Sequence, residues 1–319
     1  MDVGATDDVA GATPDLQLTG RPRRGEAAIK VVLGLCAAVS VVTTVGIVAA
    51  LVPPTVTFFR ENVSLTAFLT GTRWAPLFAN PDFGVVPLVN ATLMITSIAI
   101  ALALPIGLLA AIFLSEYAPA GTRKVMKPMI EVLAGIPTVV YGFFALEFVT
   151  PDLLQRFWPA ALGEAPGTFS ALSAGLVMAF MIVPTIASLS EDALRAVPDA
   201  LRQGSSGLVA TKLQTTVRVV VPAAVSGIVA AVVLGISRAI GETMIVLIAA
   251  GGTPVLSFDP RSGMQTMTGF IAQAGIGDLP TGSVGYSTIF AVGSLLFLMT
   301  FVMNLLSIRL VRRFQEVYE

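Results

Sequence analysis

Apolar residues fall in six long blocks along this chain, at about 28–52, 86–114, 128–149, 170–189, 219–250 and 285–308, and the segments between them carry most of the charge. Each block approaches or exceeds the ~20 apolar residues that a helix needs to cross a bilayer. The pattern therefore predicts an all-α integral membrane protein with six transmembrane helices. Pro105, Pro137 and Pro184 interrupt three of the blocks. Proline is tolerated in such helices where neighbouring helices or an aqueous cavity satisfy the freed backbone groups.

The fifth block holds two charges near its middle, Arg238 and Glu242. A charge at bilayer depth costs at least ~2.5–3.5 kcal/mol, so it usually faces a protein interior or a solute path. At about 100° per residue, Ala223, Gly227, Ala231, Gly235 and Ala239 share one face of a continuous helix with Arg238 and Glu242. Val225, Val229, Val232, Val233, Ile236, Ile240 and Leu247 gather on the other face, although Ile228 and Leu234 intrude on the small one. Small residues every four positions let a second helix approach closely. Two readings of the pair follow: an ion pair that pins two helices together, or a face lining a translocation path with Arg238 offered to an anion.

Composition agrees with a membrane protein. Of 319 residues, 55% are hydrophobic and 12% charged, and the mean hydropathy is +0.85. There is one cysteine, Cys36, and no histidine. A disulfide framework is excluded, as are histidine-based metal sites, proton relays and triads, and neither a catalytic residue nor a metal ligand set stands out. With the N-terminus inside, fourteen Lys and Arg fall in inner segments and four (Arg60, Arg73, Arg156 and Arg261) in outer ones. By the positive-inside rule both termini are cytoplasmic. Residues 1–27 read as a flexible cytoplasmic tail ahead of a permease domain at 28–315. The first block is too long for a signal-peptide core and lacks a clean cleavage site, so it is expected to remain as a helix.

The outer loop at 53–85 holds Phe68, Trp74, Pro76, Phe78 and Phe83, which read as an interfacial belt or a docking surface. The outer loop at 253–284 is rich in Gly, Pro, Ser and Thr. The inner segment at 190–218 has apolar teeth (Leu194, Val197, Leu201, Leu208 and Leu213) among charges, with Pro198 and Asp199 opening a second short helix. It is either an amphipathic helix on the membrane surface or a docking helix for a soluble partner. No G-x-x-x-x-G-K-[ST] loop occurs in the chain. A nucleotide that drives transport would therefore bind another chain.

Several strings resemble a known family. Residues 191–222 are similar to the EAA loop of binding-protein-dependent ABC importer permeases, whose bundle has the MetI-like fold. The chain as a whole resembles PstC-type permease subunits of phosphate importers. The matching strings are Phe68-Leu-Thr-Gly-Thr-Arg-Trp74, Phe83-Gly-Val-Val-Pro87, Phe113-Leu-Ser-Glu-Tyr-Ala-Pro119, Glu131-Val-Leu-Ala-Gly-Ile-Pro-Thr-Val-Val-Tyr-Gly142, Ser190-Glu-Asp-Ala-Leu-Arg-Ala-Val-Pro198 and Ser237-Arg-Ala-Ile-Gly-Glu-Thr-Met244.

The resemblance implies import of inorganic phosphate through a lipid bilayer, with no nucleic acid involved. The implied partners are a PstA-type permease, a PstB-type ATPase dimer carrying the ATP and Mg, and a PstS-type phosphate-binding protein. This chain itself would hold no cofactor. The resemblance assigns phosphate passage to Arg238 and Glu242, and ATPase coupling to Gln203, Gly204, Ser205, Leu208 and Val209. Gln203-Gly204-Ser205 stands where the family usually has Glu-Ala-Ala, and Val209 where it usually has glycine, which weakens any coupling that depends on an acidic residue. A PstA-type subunit, a permease for another oxyanion, an ion-coupled secondary carrier and a membrane-embedded enzyme remain as alternatives.

Overall fold

A computed structural model describes residues 24–61, 63–78 and 80–314. Residues 1–23, most of the expected tail, lie outside the described residues, and helix α1 (Arg24–Glu61) starts inside that tail, at Arg24. Residues 24–50 of α1 form one unit and residue 51 onward a second. In the first unit the apolar side chains from Ile29 to Ile47 are exposed. A helix that is apolar all round is suited to lipid or to another membrane helix.

In the second unit the chain continues as α2 (Leu65–Thr70), a two-residue hairpin pairing Trp74–Ala75 with Asp82–Phe83, and α3 (Val86–Ile112). There follow α4 (Ala120–Ala134), α5 (Thr138–Phe144), α6 (Ala171–Arg195), α7 (Asp199–Gly207), α8 (Lys212–Thr215), α9 (Val221–Ala223), α10 (Val225–Ile240), α11 (Met267–Gly275) and α12 (Val284–Phe314). The hairpin is the only strand pairing among the described residues, so the fold is all-α in substance. The central packing is α3 against α6, with α10 laid on α6. A Cβ on Gly175 of α6 would fall 2.6 Å from the Ile98 side chain, so only glycine lets α3 and α6 come this close. Met178, Met181, Ile182 and Ile186 fill the seam with no exposed surface.

Among the described residues four helices are long and apolar enough to cross a membrane, and six spans result when two bent pairs are each taken as one. The sequence marks the third span as interrupted by Pro137 and predicts the fifth as one continuous helix; both are sharply bent. The third is bent by 86° between α4 and α5, and the fifth by 69° between α9 and α10. The first break falls at Gly135-Ile136-Pro137. Proline supplies no N–H there and pushes the residue before it out of the helical region. The second falls at Ala224, just after Pro222, and the turn before that proline, Thr216–Val220, is widened into a π-helix. Pro105 and Pro184, by contrast, sit inside unbroken helices.

The outer loops are also more structured than predicted. Phe68 and Trp74 are buried, at 1% and 2% exposure, and are neither belt nor docking surface. With Phe58, Phe59, Phe83 and Phe270 they form a cluster of edge-to-face rings, an arrangement favoured by the aromatic quadrupole. Phe78 alone of the predicted aromatic set is fully exposed. The second outer loop contains α11, capped by the Thr266 hydroxyl, which accepts from the Gly269 N–H at 3.0 Å.

Candidate functional site

Arg238 lies in the last turn of α10, where the helix dipole favours a cation. Its side chain is half-buried, and Nη1 donates to Thr185 Oγ1 on α6 over a long 3.4 Å. Among the described residues no carboxylate forms an ion pair with it. The small face predicted for this helix is packed, with Ala231, Gly235 and Ala239 buried and a Cβ on Gly227 falling 2.4 Å from the Ala193 Cβ of α6, but Val233 and Ile240 of the opposite, bulky face are buried as well.

Glu242 departs from the prediction. The wheel placed it beside Arg238 on one continuous helix, but α10 ends at Ile240 and Gly241 caps it. Buried at 8% exposure, Glu242 instead turns its carboxylate to the next helical segment. There Oε1 accepts from the Met244 N–H at 2.9 Å and the Ile245 N–H at 3.2 Å. The first N–H groups of a helix have no internal partner, so an acidic side chain just ahead of them is stabilising. The reading of the pair as an ion-paired pin is thereby corrected. Glu242 also lines a narrow crevice with Thr92, Thr96, Thr266 and Thr268. The Thr268 hydroxyl donates to its backbone carbonyl at 2.7 Å, while Thr96 Oγ1 is buried with no hydrogen-bond partner.

The second predicted set lies along α7. Gln203, Gly204, Leu208 and Val209 are exposed, the last two at 85% and 90%. Ser205 turns inward, its hydroxyl 2.8 Å from that of Thr215. Val209, at the position where the family usually has glycine, takes φ 61°. A β-branched residue with positive φ is strained.

Sequence reasoning missed the charges gathered at the ends of α3 and α6. Glu191 of α6 is 1% exposed, with Lys127 Nζ at 2.6 Å, Arg195 Nη1 at 3.7 Å and Arg123 Nε at 3.9 Å. Arg202 of α7 meets Glu116, in the π-helical turn Phe113–Tyr117 that ends α3, at 3.0 Å. A signal was available: both glutamates stand inside strings that carried the resemblance. Among the described residues, no group of His, Cys, Asp and Glu is placed to hold a metal ion.

Residues 103–316 match the family described as binding-protein-dependent transport system inner membrane component. The chain belongs to that family. This permease is 37% identical, over 87% of its length and 88% of the relative's, to the probable ABC transporter permease protein YqgH of Bacillus subtilis. It is 33% identical to the phosphate transport system permease protein PstC of Haemophilus influenzae, over 78% of this chain and 82% of that one. To the PstC 1 protein of Mycobacterium tuberculosis it is 32% identical, over 77% and 81%.

Solved structures agree on the fold. A chain of the MetNI methionine ABC transporter superposes with a TM-score of 0.53 at 20% identity, over 73% of this chain and 95% of that one. A chain of a bacterial alginate ABC transporter gives 0.60 at 17% identity, over 89% and 96%. The protein is a multi-pass membrane permease subunit of an ABC importer, and membership of the family sets aside the self-sufficient carrier and the membrane-embedded enzyme.

Proposed function

We propose that this permease is the PstC-type subunit of an ATP-driven phosphate importer, forming half of the path with a PstA-type subunit and keeping both termini cytoplasmic. In this reading an ATPase dimer with ATP and Mg docks on the exposed edge of α7, at Gln203, Gly204, Leu208 and Val209, and a phosphate-binding protein delivers solute from outside. The observation that carries the reading is Arg238, a half-buried guanidinium with no carboxylate partner among the described residues. Phosphate crossing a low-dielectric region needs a fixed counter-charge. A guanidinium stays protonated and can meet two phosphate oxygens at once. The relatives named PstC support phosphate as the anion.

Glu242, held by backbone N–H groups, shapes the chain beyond Arg238 without neutralising it. The substrate is tested in cells that lack other phosphate importers and express this chain with its partner subunits. Labelled phosphate should accumulate, unlabelled phosphate should compete, and sulfate should not. Accumulation that sulfate blocks equally would assign the path to another oxyanion.

A further inference from the structure

One guanidinium fastens α7 to two other parts of the molecule. Arg202 Nη2 donates to the Leu194 carbonyl at 2.8 Å and to Glu116 Oε1 at 3.0 Å. Its Nη1 donates to the Val197 carbonyl at 2.6 Å and to Asp199 Oδ1 at 3.2 Å. Leu194 is in the last turn of α6, where a basic side chain is well placed, and its carbonyl also accepts from the Val197 N–H over a long 3.4 Å. Glu116 belongs to the π-helical turn ending α3, and the Ser115 hydroxyl donates to the same oxygen at 3.0 Å. Both partners are largely withdrawn from solvent, with the Arg202 side chain 21% exposed and that of Glu116 9%. Leu201, beside Arg202, packs on the apolar cluster of Leu194, Val197 and Val220. One side of α7 is therefore fastened to α3 and α6, which form the best-packed pair in the protein, and the other is exposed.

We propose that Arg202 is the joint that makes α7, the end of α6 and the end of α3 move as one body, so that displacement of α7 by the ATPase reaches the membrane core. The joint rests on the ATPase-docking reading of α7 given above. Arg202 touches no substrate in this scheme; it is a positioning residue. Its planar fork serves two carbonyls and two carboxylates together, which a single lysine ammonium cannot do in the same geometry. Loss of the joint leaves α7 able to bind the ATPase and to follow it without carrying the helices along. Hydrolysis then continues while transport falls, whereas a defect of folding alone lowers both together.

The test uses the complete transporter in lipid vesicles, with phosphate as the solute. Uptake and hydrolysis are measured for the wild type, Arg202→Ala, Arg202→Lys and Glu116→Gln. In a background lacking the exposed Cys36, spin labels on cysteines placed at Leu189 of α6 and Ser206 of α7 report the distance between the two helices with and without nucleotide. The wild type should give one narrow distance that nucleotide leaves unchanged. Arg202→Ala should broaden that distance and lower phosphate moved per ATP by about fivefold or more. Arg202→Lys should fall between the two, and Glu116→Gln, which spares the carbonyl contacts, should have the smallest effect. Should Arg202→Ala not assemble, the lysine variant decides by the same two readings. An unchanged distance, or an unchanged ratio of uptake to hydrolysis in an assembled Arg202 variant, overturns the proposal. A wild-type complex that hydrolyses ATP yet moves no phosphate would instead overturn the substrate reading, and the distance measurement would still decide the joint.

Discussion

The helix ends around α7 and the middle of the fifth span handle charge in opposite ways. At those ends Glu191 is approached by Lys127, Arg123 and Arg195, and Glu116 is held by Arg202. In the fifth span Arg238 has one long contact to a neutral hydroxyl, and Glu242 is occupied by backbone N–H groups. Both regions bear the cost of removing charge from water, but only the first recovers it through ionic partners. Glu191 and Glu116 are each held by short contacts to a cation, although Glu191 Oε1 has no hydrogen-bond partner, while the Arg238 guanidinium has no carboxylate against it among the described residues. Substitutions should therefore separate cleanly into those that unfold the protein and those that silence it.

The largest loss of stability should come from Glu191→Ala. It removes the buried carboxylate that three cations approach, leaving Lys127 with Asp192 alone and Arg123 with the Leu114 and Ser115 carbonyls, and destabilisation on the order of 3 kcal/mol is expected. Thermal unfolding of the purified chain measures it, and an unchanged midpoint would break the contrast between the two regions. Glu242 sharpens the same contrast. Glu242→Ala removes the oxygen that caps Met244 and Ile245 and should cost about 1–2 kcal/mol, while Glu242→Gln keeps an acceptor there and should cost less. Equal losses in the two variants would show that the negative charge matters more than the cap.

The smallest effect is expected at Val209, where strain and exposure coincide. Val209→Gly relieves a positive φ at a β-branched residue and should stabilise the isolated chain by on the order of 1 kcal/mol. In the assembled transporter the same change removes an exposed apolar contact and should weaken ATPase binding. A fall in the unfolding midpoint of the isolated chain would contradict the strain.

Much of the fold was legible in the residues. Each apolar block corresponds to a helix or a bent pair, because burial from water by lipid needs little more than a long run of apolar side chains. The small face of α10 was legible too, since it depends on spacing alone. What escaped depends on where helices stop and on partners distant in sequence. The wheel through Glu242 assumed a helix that in fact ends at Ile240, two residues short of the carboxylate. Ser-Glu-Asp-Ala-Leu-Arg reads as the start of the segment between two spans, yet it completes α6, and Glu191 is buried there with Lys127, 64 positions away, against it. The outer aromatics were legible as aromatics but not as a core, because α11, which supplies Phe270 beneath Trp74, lies in a segment whose composition suggested a loop.

The central claim is that Arg238 is left unpaired so that it can meet the transported anion, and phosphate uptake by an assembled Arg238→Gln complex tests it most directly. Since Arg238 has no ionic partner among the described residues to abandon, the variant should assemble and unfold like the wild type. Its uptake should fall by roughly two orders of magnitude, the equivalent of about 3 kcal/mol lost at a charge-assisted contact in a low-dielectric path. Arg238→Lys should recover part of the uptake but not all of it. Near-normal uptake by the assembled Arg238→Gln complex would contradict the account and leave Arg238 as a structural residue of α10.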